Sequence, residues 1–143
     1  MKALVALLPA AVIAAACGAP ATSSDGNAAA AQLQSPGDPT RGERAYQKCY
    51  SCHALEPGRN DLDGPTLHGI VGRRVAAEAG VDYSPAMRRF AERNSRWTPA
   101  LLDQLIADPE TLVPGTSMAF HGIPDAQERR DLIVFLERGK PAP

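Results

Sequence analysis

Residues 49–53 read Cys49-Tyr50-Ser51-Cys52-His53, and this short stretch decides which fold we expect for the rest of the chain. Two thiols three positions apart on a helical turn can both add to the vinyl groups of one haem, forming two thioether bonds. The histidine that follows directly is then placed to become an axial ligand of the iron. The motif therefore predicts one covalent haem c, with Cys49 and Cys52 as attachment points and His53 as a metal ligand.

The same cysteine pair has three other common uses in proteins. A thioredoxin-like redox pair belongs to a strand-helix-strand pattern, which is absent around Cys49. A zinc site needs more ligands, and only His68 or His121, at irregular spacing, could complete one. A structural disulfide is frequent in exported proteins. The histidine directly after the second cysteine favours haem attachment over all three.

A six-coordinate iron needs a second axial ligand, for which the chain offers Met87, Met118, His68 and His121. Met118 follows a Pro-Gly turn that can present it rigidly, whereas Met87 on a predicted helix is better explained by packing. A thioether ligand raises the reduction potential. His121 would give a lower potential and is the chief rival. The chemistry thus favours Met118 and leaves His121 open.

The composition suits a small domain that a prosthetic group completes. Hydrophobic residues make up 44% of the chain but aromatic residues only 5%, so a domain of this size has a modest core. The formal net charge of -1 argues against a nucleic-acid binder, which usually carries a basic excess.

The first 37 residues are expected to carry an export signal and a linker. Lys2 and the apolar run that follows are typical of a secretory signal peptide, and the run is too short for a membrane span. The end of this run resembles a bacterial lipobox, in which Cys17 would be lipidated; alternatively Cys17 is removed with the signal. We therefore assign residues 1–16 to the signal, 17–37 to a flexible linker and 38–143 to the folded domain.

Four helices are predicted, because a capping residue begins each apolar pattern and no segment alternates as a strand would. Asp38-Pro39, Ser84-Pro85 and Thr98-Pro99 begin the first three, which run to about Cys49, to Glu92 and to Asp108-Pro109. Asp125 and Glu128 form a capping-box variant for the last, which Gly139 ends. The fold class is therefore all-α, with short helices and long loops wrapped around one haem.

Several motifs in register resemble class I cytochrome c, in particular the mitochondrial cytochrome c and bacterial cytochrome c2 branch. The resemblance covers Arg41 to Gly139. It rests on the haem motif and on the segments Gly64-Pro65-Thr66-Leu67-His68-Gly69, Tyr83-Ser84-Pro85-Ala86-Met87 and Pro114-Gly115-Thr116-Ser117-Met118. It implies a His/Met-ligated haem, with His53 and Met118 on the iron.

The resemblance also implies roles around the cofactor. The carbonyl of Pro65 would accept a hydrogen bond from the ring of His53. Four further residues match positions that surround the haem propionates, namely Arg73, Tyr83, Trp97 and Thr116. A second group, Gly42, Tyr46 and Phe135, matches the contact between the first and last helices.

Some positions depart from the mitochondrial pattern. Leu105 stands where those proteins have a tyrosine near the ligand, and Ser117 where they have a lysine. With only three lysines in the chain, the positive charge comes mainly from arginine, including the group Arg88, Arg89, Arg93 and Arg96. This group is either a docking patch or a solvated helix face, and the second interpretation is favoured.

The sequence therefore predicts a periplasmic or otherwise extracytoplasmic electron carrier, not an enzyme. Its partners would be redox proteins, either membrane complexes or soluble carriers, and we expect a monomer that is anchored to the membrane if Cys17 is lipidated. The alternatives are a peroxidase-like enzyme that uses His121, and a gas-binding cytochrome. A gas-binding cytochrome is disfavoured because proteins of that type have the haem motif near the C-terminus of a four-helix bundle, whereas here the motif lies near the beginning of the domain.

Overall fold

A computed structural model describes residues 35–139 of the chain. Within this range the fold is all-α, as predicted. It comprises α1 (Pro39–Tyr46), α2 (Pro85–Arg93), α3 (Pro99–Ala107), α4 (Pro109–Leu112) and α5 (Ala126–Arg138). The only extended pairing among these residues is an isolated antiparallel bridge between Arg74 and Arg96. The predicted signal, the lipobox and most of the linker lie outside the described residues.

The helices begin where the capping residues predict. Asp38, Ser84 and Thr98 each accept a hydrogen bond from a backbone N–H of the first turn and are followed by proline. Asp125 Oδ1 accepts from the N–H of Glu128 at 2.6 Å, which caps α5 without proline. Side-chain acceptors satisfy donors that a helix start otherwise leaves unpaired.

One helix was not predicted. Asp108-Pro109 ends α3, as expected, but Asp108 also caps the four-residue helix α4, and its Oδ1 accepts from the N–H of Thr111 at 3.0 Å. Asp108-Pro109 carries the same cap-and-proline signal that begins three other helices, but the sequence predicts only a helix end there. Helix α4 redirects the chain into the loop that contains Met118.

The tightest helix contact joins α1 to α5. Gly42 lies against the backbone of Asp131 and the side chain of Phe135, and a Cβ at residue 42 would meet the Cβ of Phe135 at 2.6 Å. The rings of Tyr46 and Phe135 are 5.9 Å apart between centroids. The predicted contact between the first and last helices is therefore confirmed, and glycine is needed because the two backbones approach so closely.

A buried carboxylate fastens the same two helices. Asp131 is 2% exposed and accepts hydrogen bonds from Arg41 Nε at 2.6 Å, the N–H of Asp38 at 2.7 Å and Gln127 Nε2 at 2.9 Å. These three donors compensate for the loss of water around the charge. The chain just before α1 also contacts α5, because Pro36 accepts from Gln127 and Gly37 packs against Val134.

The long segment between α1 and α2 is irregular and holds most of the predicted site. Turns continue past Tyr46, so that the motif residues follow α1 directly, and this helix ends earlier than the predicted Cys49. Between residues 35 and 139 we find no helix with the length and apolar character that crossing a membrane requires.

Candidate haem-attachment site

The attachment motif forms a compact turn at the end of α1. The N–H groups of Cys52 and His53 both donate to the carbonyl of Cys49, at 3.1 and 2.9 Å. The hydroxyl of Tyr46 donates to the carbonyl of His53 at 2.5 Å. Both thiols and the imidazole therefore emerge from one braced turn, as covalent attachment to a single flat group requires.

The ring of His53 is oriented by its second nitrogen. Nδ1 lies 2.7 Å from the carbonyl oxygen of Pro65, which can only accept, so Nδ1 carries the proton and Nε2 keeps a free lone pair. Burial lowers the pKa of His53, while its bond to Pro65 acts in the opposite direction and is the smaller effect. The imidazole is thus neutral at physiological pH, which is the state that binds a metal.

The backbone of Gly64 packs directly against the imidazole of His53. A Cβ on this residue would come within 2.6 Å of Nδ1, so no side chain can occupy the position without displacing the ring. The N–H of Gly64 donates to the carbonyl of Cys52 at 2.8 Å, which ties the 64–66 segment to the attachment turn.

The two cysteines form no disulfide with each other, and the setting of Cys49 disfavours a redox-active pair. Burial raises the pKa of Cys49 to about 11, so this sulfur lacks the thiolate character of a redox-active cysteine. Across residues 35–139 no three metal-binding side chains of the His, Cys, Asp and Glu types cluster together.

The candidate distal ligands differ clearly in their surroundings. Met87 is buried in the core on the inner face of α2, whereas Met118 is half-buried in the loop after α4. His68 and His121 are both exposed. The N–H of Met118 donates to Thr116 Oγ1 at 3.2 Å, so the loop before the sulfur is braced from within.

The other predicted cofactor residues lie in varied settings. Trp97 is buried and stacks on Phe90, with 6.0 Å between ring centroids. Tyr83 is half-buried, and burial raises its pKa. Arg73 does not offer a free guanidinium: Nη1 contacts Glu78 Oε2 at 2.9 Å, and Nη2 donates to the carbonyl of Thr66 at 2.7 Å.

Part of the apolar surface next to the core stays open to solvent. Ten residues pack on the hydrophobic core and yet keep part of their surface exposed: Cys49, Leu55, Leu67, Val71, Ala76, Tyr83, Ala91, Leu101, Leu112 and Phe120. A flat prosthetic group would cover such surface and so add to a core with few aromatic residues.

Known proteins share these features along most of the domain. A cytochrome c2 of Rhodopila globiformis is 42% identical over 103 residues, which are 71% of this chain and 93% of that protein. The chain belongs to the class I cytochrome c family. A Ginkgo biloba cytochrome c is 36% identical over 104 residues, or 72% of this chain and 89% of its own. No protein-family model matches the chain.

A solved structure supports the same conclusion. Cytochrome cH from Methylobacterium extorquens has a TM-score of 0.64 and 37% identity to this chain, and the match covers 71% of this chain and 99% of the other. The family and the fold expected from the sequence are thus confirmed. As a cytochrome c, the chain carries covalently bound haem c with its iron, and its family supports a role as an electron carrier.

Sequence reasoning missed one group of residues near His53. Asn60 and Glu78 lie in loops without any recognised motif, yet Asn60 accepts from the N–H of Thr66, next to Pro65, and Glu78 accepts from Asn60. No local pattern identifies them, because their contacts join residues 18 positions apart.

The arginine group divides into two pairs. Arg88 contacts Asp82 at 2.7 Å, and Arg96 donates to the carbonyl of Gly72 at 2.7 Å. Arg89 and Arg93 are exposed and line a cavity of about 80 Å³ beside Phe90 and Pro114. Only two of the four guanidinium groups are therefore held by contacts within the domain.

Proposed function

We propose that this cytochrome c is a one-electron carrier in which His53 and Met118 are the axial ligands. The hydrogen bond from His53 Nδ1 to Pro65 carries the proposal, because it leaves Nε2 unprotonated and fixes the plane of the ring. Met118 is favoured on the other side, since Met87 is buried in the core and the two remaining histidines are exposed.

The residues of the chain divide the work of holding and insulating the cofactor. Cys49 and Cys52 would attach it, and His53 and Met118 would bind the iron. When bound, the haem supplies a one-electron couple between Fe(III) and Fe(II). Because His53 and Met118 would both bind the iron, they would keep substrates away from it, which supports a carrier rather than an enzyme.

The proposed cofactor-binding residues besides the ligands are Pro65, Arg73, Tyr83, Trp97 and Thr116. Thr116 Oγ1 accepts from the N–H of Met118, so its hydroxyl hydrogen is free to donate elsewhere. Arg73 and Tyr83 both interact with Glu78, so the Tyr83 hydroxyl and the charge of Arg73, which Glu78 already pairs, would be the groups that compensate for a buried propionate.

The proposed partners are redox proteins that donate or accept one electron in short-lived complexes. Tyr50 is 58% exposed and lies between the two attachment cysteines, which makes it a contact point at the edge where the haem is attached. Small interfaces are usual for such encounters.

The proposed location is outside the cytoplasm, with residues 1–16 as the export signal and Cys17 either lipidated or removed. Covalent attachment keeps the haem in place in a compartment where it could otherwise be lost. Mass spectrometry of the mature N-terminus tests this proposal. A mature chain that begins after residue 17 and carries no lipid contradicts the anchor and leaves the carrier role intact.

Replacing each methionine by leucine tests the axial assignment. Leucine keeps the volume of methionine but lacks the sulfur. The Met118→Leu holoprotein is expected to bind added imidazole, lose the spectral signature of methionine ligation and show a lower reduction potential. The matched control, Met87→Leu, is expected to bind no added imidazole and to keep the methionine signature and the reduction potential of the unaltered protein. It is expected to lose less than about 1.5 kcal/mol of stability. If Met118→Leu behaves like the control, Met118 is not the ligand.

A further inference from the structure

The Pro65 carbonyl, which orients His53, directly precedes a residue whose polar groups are all hydrogen-bonded. Thr66, next to Pro65, is 1% exposed and uses every polar group it has. Its hydroxyl donates to the carbonyl of Glu56 at 2.7 Å and accepts from the N–H of His68 at 3.1 Å. The position of the Pro65 carbonyl therefore depends on how firmly Thr66 is held.

Two side chains from other loops hold the backbone of Thr66 from both directions. Asn60 Oδ1 accepts from the N–H of Thr66 at 2.9 Å, and Arg73 Nη2 donates to its carbonyl at 2.7 Å. Neither side chain contacts His53 directly. Together they fix the peptide groups that follow Pro65.

Glu78 joins these two side chains. Its Oε2 accepts from Arg73 Nη1 at 2.9 Å, and its Oε1 accepts from Asn60 Nδ2 at 3.1 Å. The side chains of Arg73 and Glu78 are only 17% and 18% exposed, so solvent competes weakly for the pair. The result is a closed ring of contacts that runs from Glu78 through Asn60, Thr66 and Arg73 back to Glu78.

We propose that Glu78 is a positioning residue for the proximal ligand His53. By aligning Asn60 and Arg73, it holds Thr66 and thereby keeps the Pro65 carbonyl on Nδ1 of His53. This inference rests on the proposed role of His53 as an axial ligand and adds a residue that acts through the ring of contacts rather than by touching the cofactor.

The chemical consequence concerns the electron donation of the imidazole. A carbonyl firmly bonded to Nδ1–H makes the imidazole a stronger donor, which stabilises Fe(III) and lowers the reduction potential. A Pro65 carbonyl that is free to move would reduce the electron donation of the imidazole and expose its Nδ1–H to solvent. Loss of the ring is therefore expected to raise the potential and to speed exchange of the Nδ1 proton.

The test compares two holoprotein variants that break the ring in different ways. Asn60→Ala removes one arm of the ring without changing any charge. Glu78→Gln replaces the two acceptor oxygens, which bind Arg73 and Asn60 separately, by an amide with a single acceptor oxygen, so the ring cannot stay closed. In both, exchange of the His53 Nδ1 proton, followed by NMR in the reduced state, is expected to accelerate about tenfold. The reduction potential, measured by spectroelectrochemistry, is expected to rise.

Two controls separate positioning from charge and from general destabilisation. Asp61→Asn changes the charge by the same amount as Glu78→Gln, but at a carboxylate that is 65% exposed and paired with Arg59. Asn94→Ala removes an asparagine side chain that donates to the carbonyl of Phe90 at 3.0 Å, far along the chain from the ring. Both controls are expected to leave proton exchange unchanged.

The outcomes distinguish this proposal from the one it rests on. If Asn60→Ala leaves both the exchange rate and the potential at the values of Asn94→Ala, Glu78 does not position His53, although His53 can still be the ligand. If the spectra of the unaltered protein show that His53 does not bind iron, the proposed function itself fails. If Glu78→Gln and Asp61→Asn change the exchange rate and the potential equally while Asn60→Ala changes neither, the effect is one of charge, and the proposal is overturned.

Discussion

At the scale of single residues, Gly64 and His53 illustrate how little room the attachment site leaves. Gly64 has ordinary backbone angles, so its lack of a side chain is required by the adjacent imidazole and not by a turn. The sequence marked this glycine as part of a motif but gave no reason for it. The reason appears only when the 64–66 segment is seen folded back over the histidine.

Substitution of Gly64 by alanine is expected to disturb the proximal ligand. The new Cβ would overlap the imidazole, and we expect a loss of more than about 2 kcal/mol of stability with an altered spectrum of the bound haem. Gly80→Ala is the control, because it adds a Cβ in open space at a positive φ and is expected to cost only about 1 kcal/mol. Urea unfolding and absorption spectra measure both effects; a native spectrum and full stability in Gly64→Ala would be inconsistent with this geometry.

At the scale of helices, the contact between α1 and α5 overrides local preference. Alanine favours a helix over glycine by about 1 kcal/mol, so propensity alone predicts that Gly42→Ala is stabilising. The structure predicts the opposite, because the Cβ would strike the backbone of Asp131 and the side chain of Phe135. We expect a loss of about 3 kcal/mol or more in urea unfolding, whereas Glu43→Ala, at the exposed neighbouring position, is expected to change stability by less than about 0.5 kcal/mol.

The carboxylate of Asp131 makes the same contact sensitive to acid. Burial raises the pKa of Asp131, but the hydrogen bonds from Arg41, the N–H of Asp38 and Gln127 outweigh it, so the pKa lies below its ordinary value. A lowered folded-state pKa contributes stability that is fully present above the unfolded pKa of about 3.9 and is lost as pH falls through the folded value.

Asp131→Asn is therefore expected to lose this contribution at neutral pH. We expect a cost of about 1–3 kcal/mol at pH 7 in urea unfolding, and a difference from the unaltered protein that shrinks below about pH 4. Asp82→Asn serves as the control, because Asp82 is 98% exposed and its contact with Arg88 should add little at any pH. A difference that stays constant with pH would contradict the role given to Asp131.

At the scale of the whole molecule, the cofactor holds loops that the chain alone holds poorly. Ten side chains that pack on the core keep part of their apolar surface exposed, and a bound haem would cover some of this surface. A Cys49→Ala/Cys52→Ala double variant is therefore expected to lose most of its helical circular dichroism at 25 °C. Cys52→Ala alone keeps one thioether and is expected to remain folded; a double variant with native helix content would show that the chain folds without the haem.

Local sequence was sufficient for much of this protein. Capping residues specify where a helix starts through contacts within one turn, so α1, α2, α3 and α5 could be predicted, and the five-residue motif defined the cofactor and one ligand. Helix α4 also had its cap, but a short helix after a helix end carries no apolar pattern of its own.

The remaining features depended on the path of the whole chain. The contact of Asp131 with Arg41 joins residues 90 positions apart, and that of Asn60 with Glu78 joins residues 18 positions apart. Each of these residues is unremarkable within its own segment. A Cβ at Gly42 would overlap Asp131 and Phe135, and a Cβ at Gly64 would overlap His53, so in both cases the obstacle lies in another part of the chain. Capping hydrogen bonds join residues within one turn, so neighbouring residues determine them. The burial of a side chain and the close approach of two backbones are determined only when distant segments pack together.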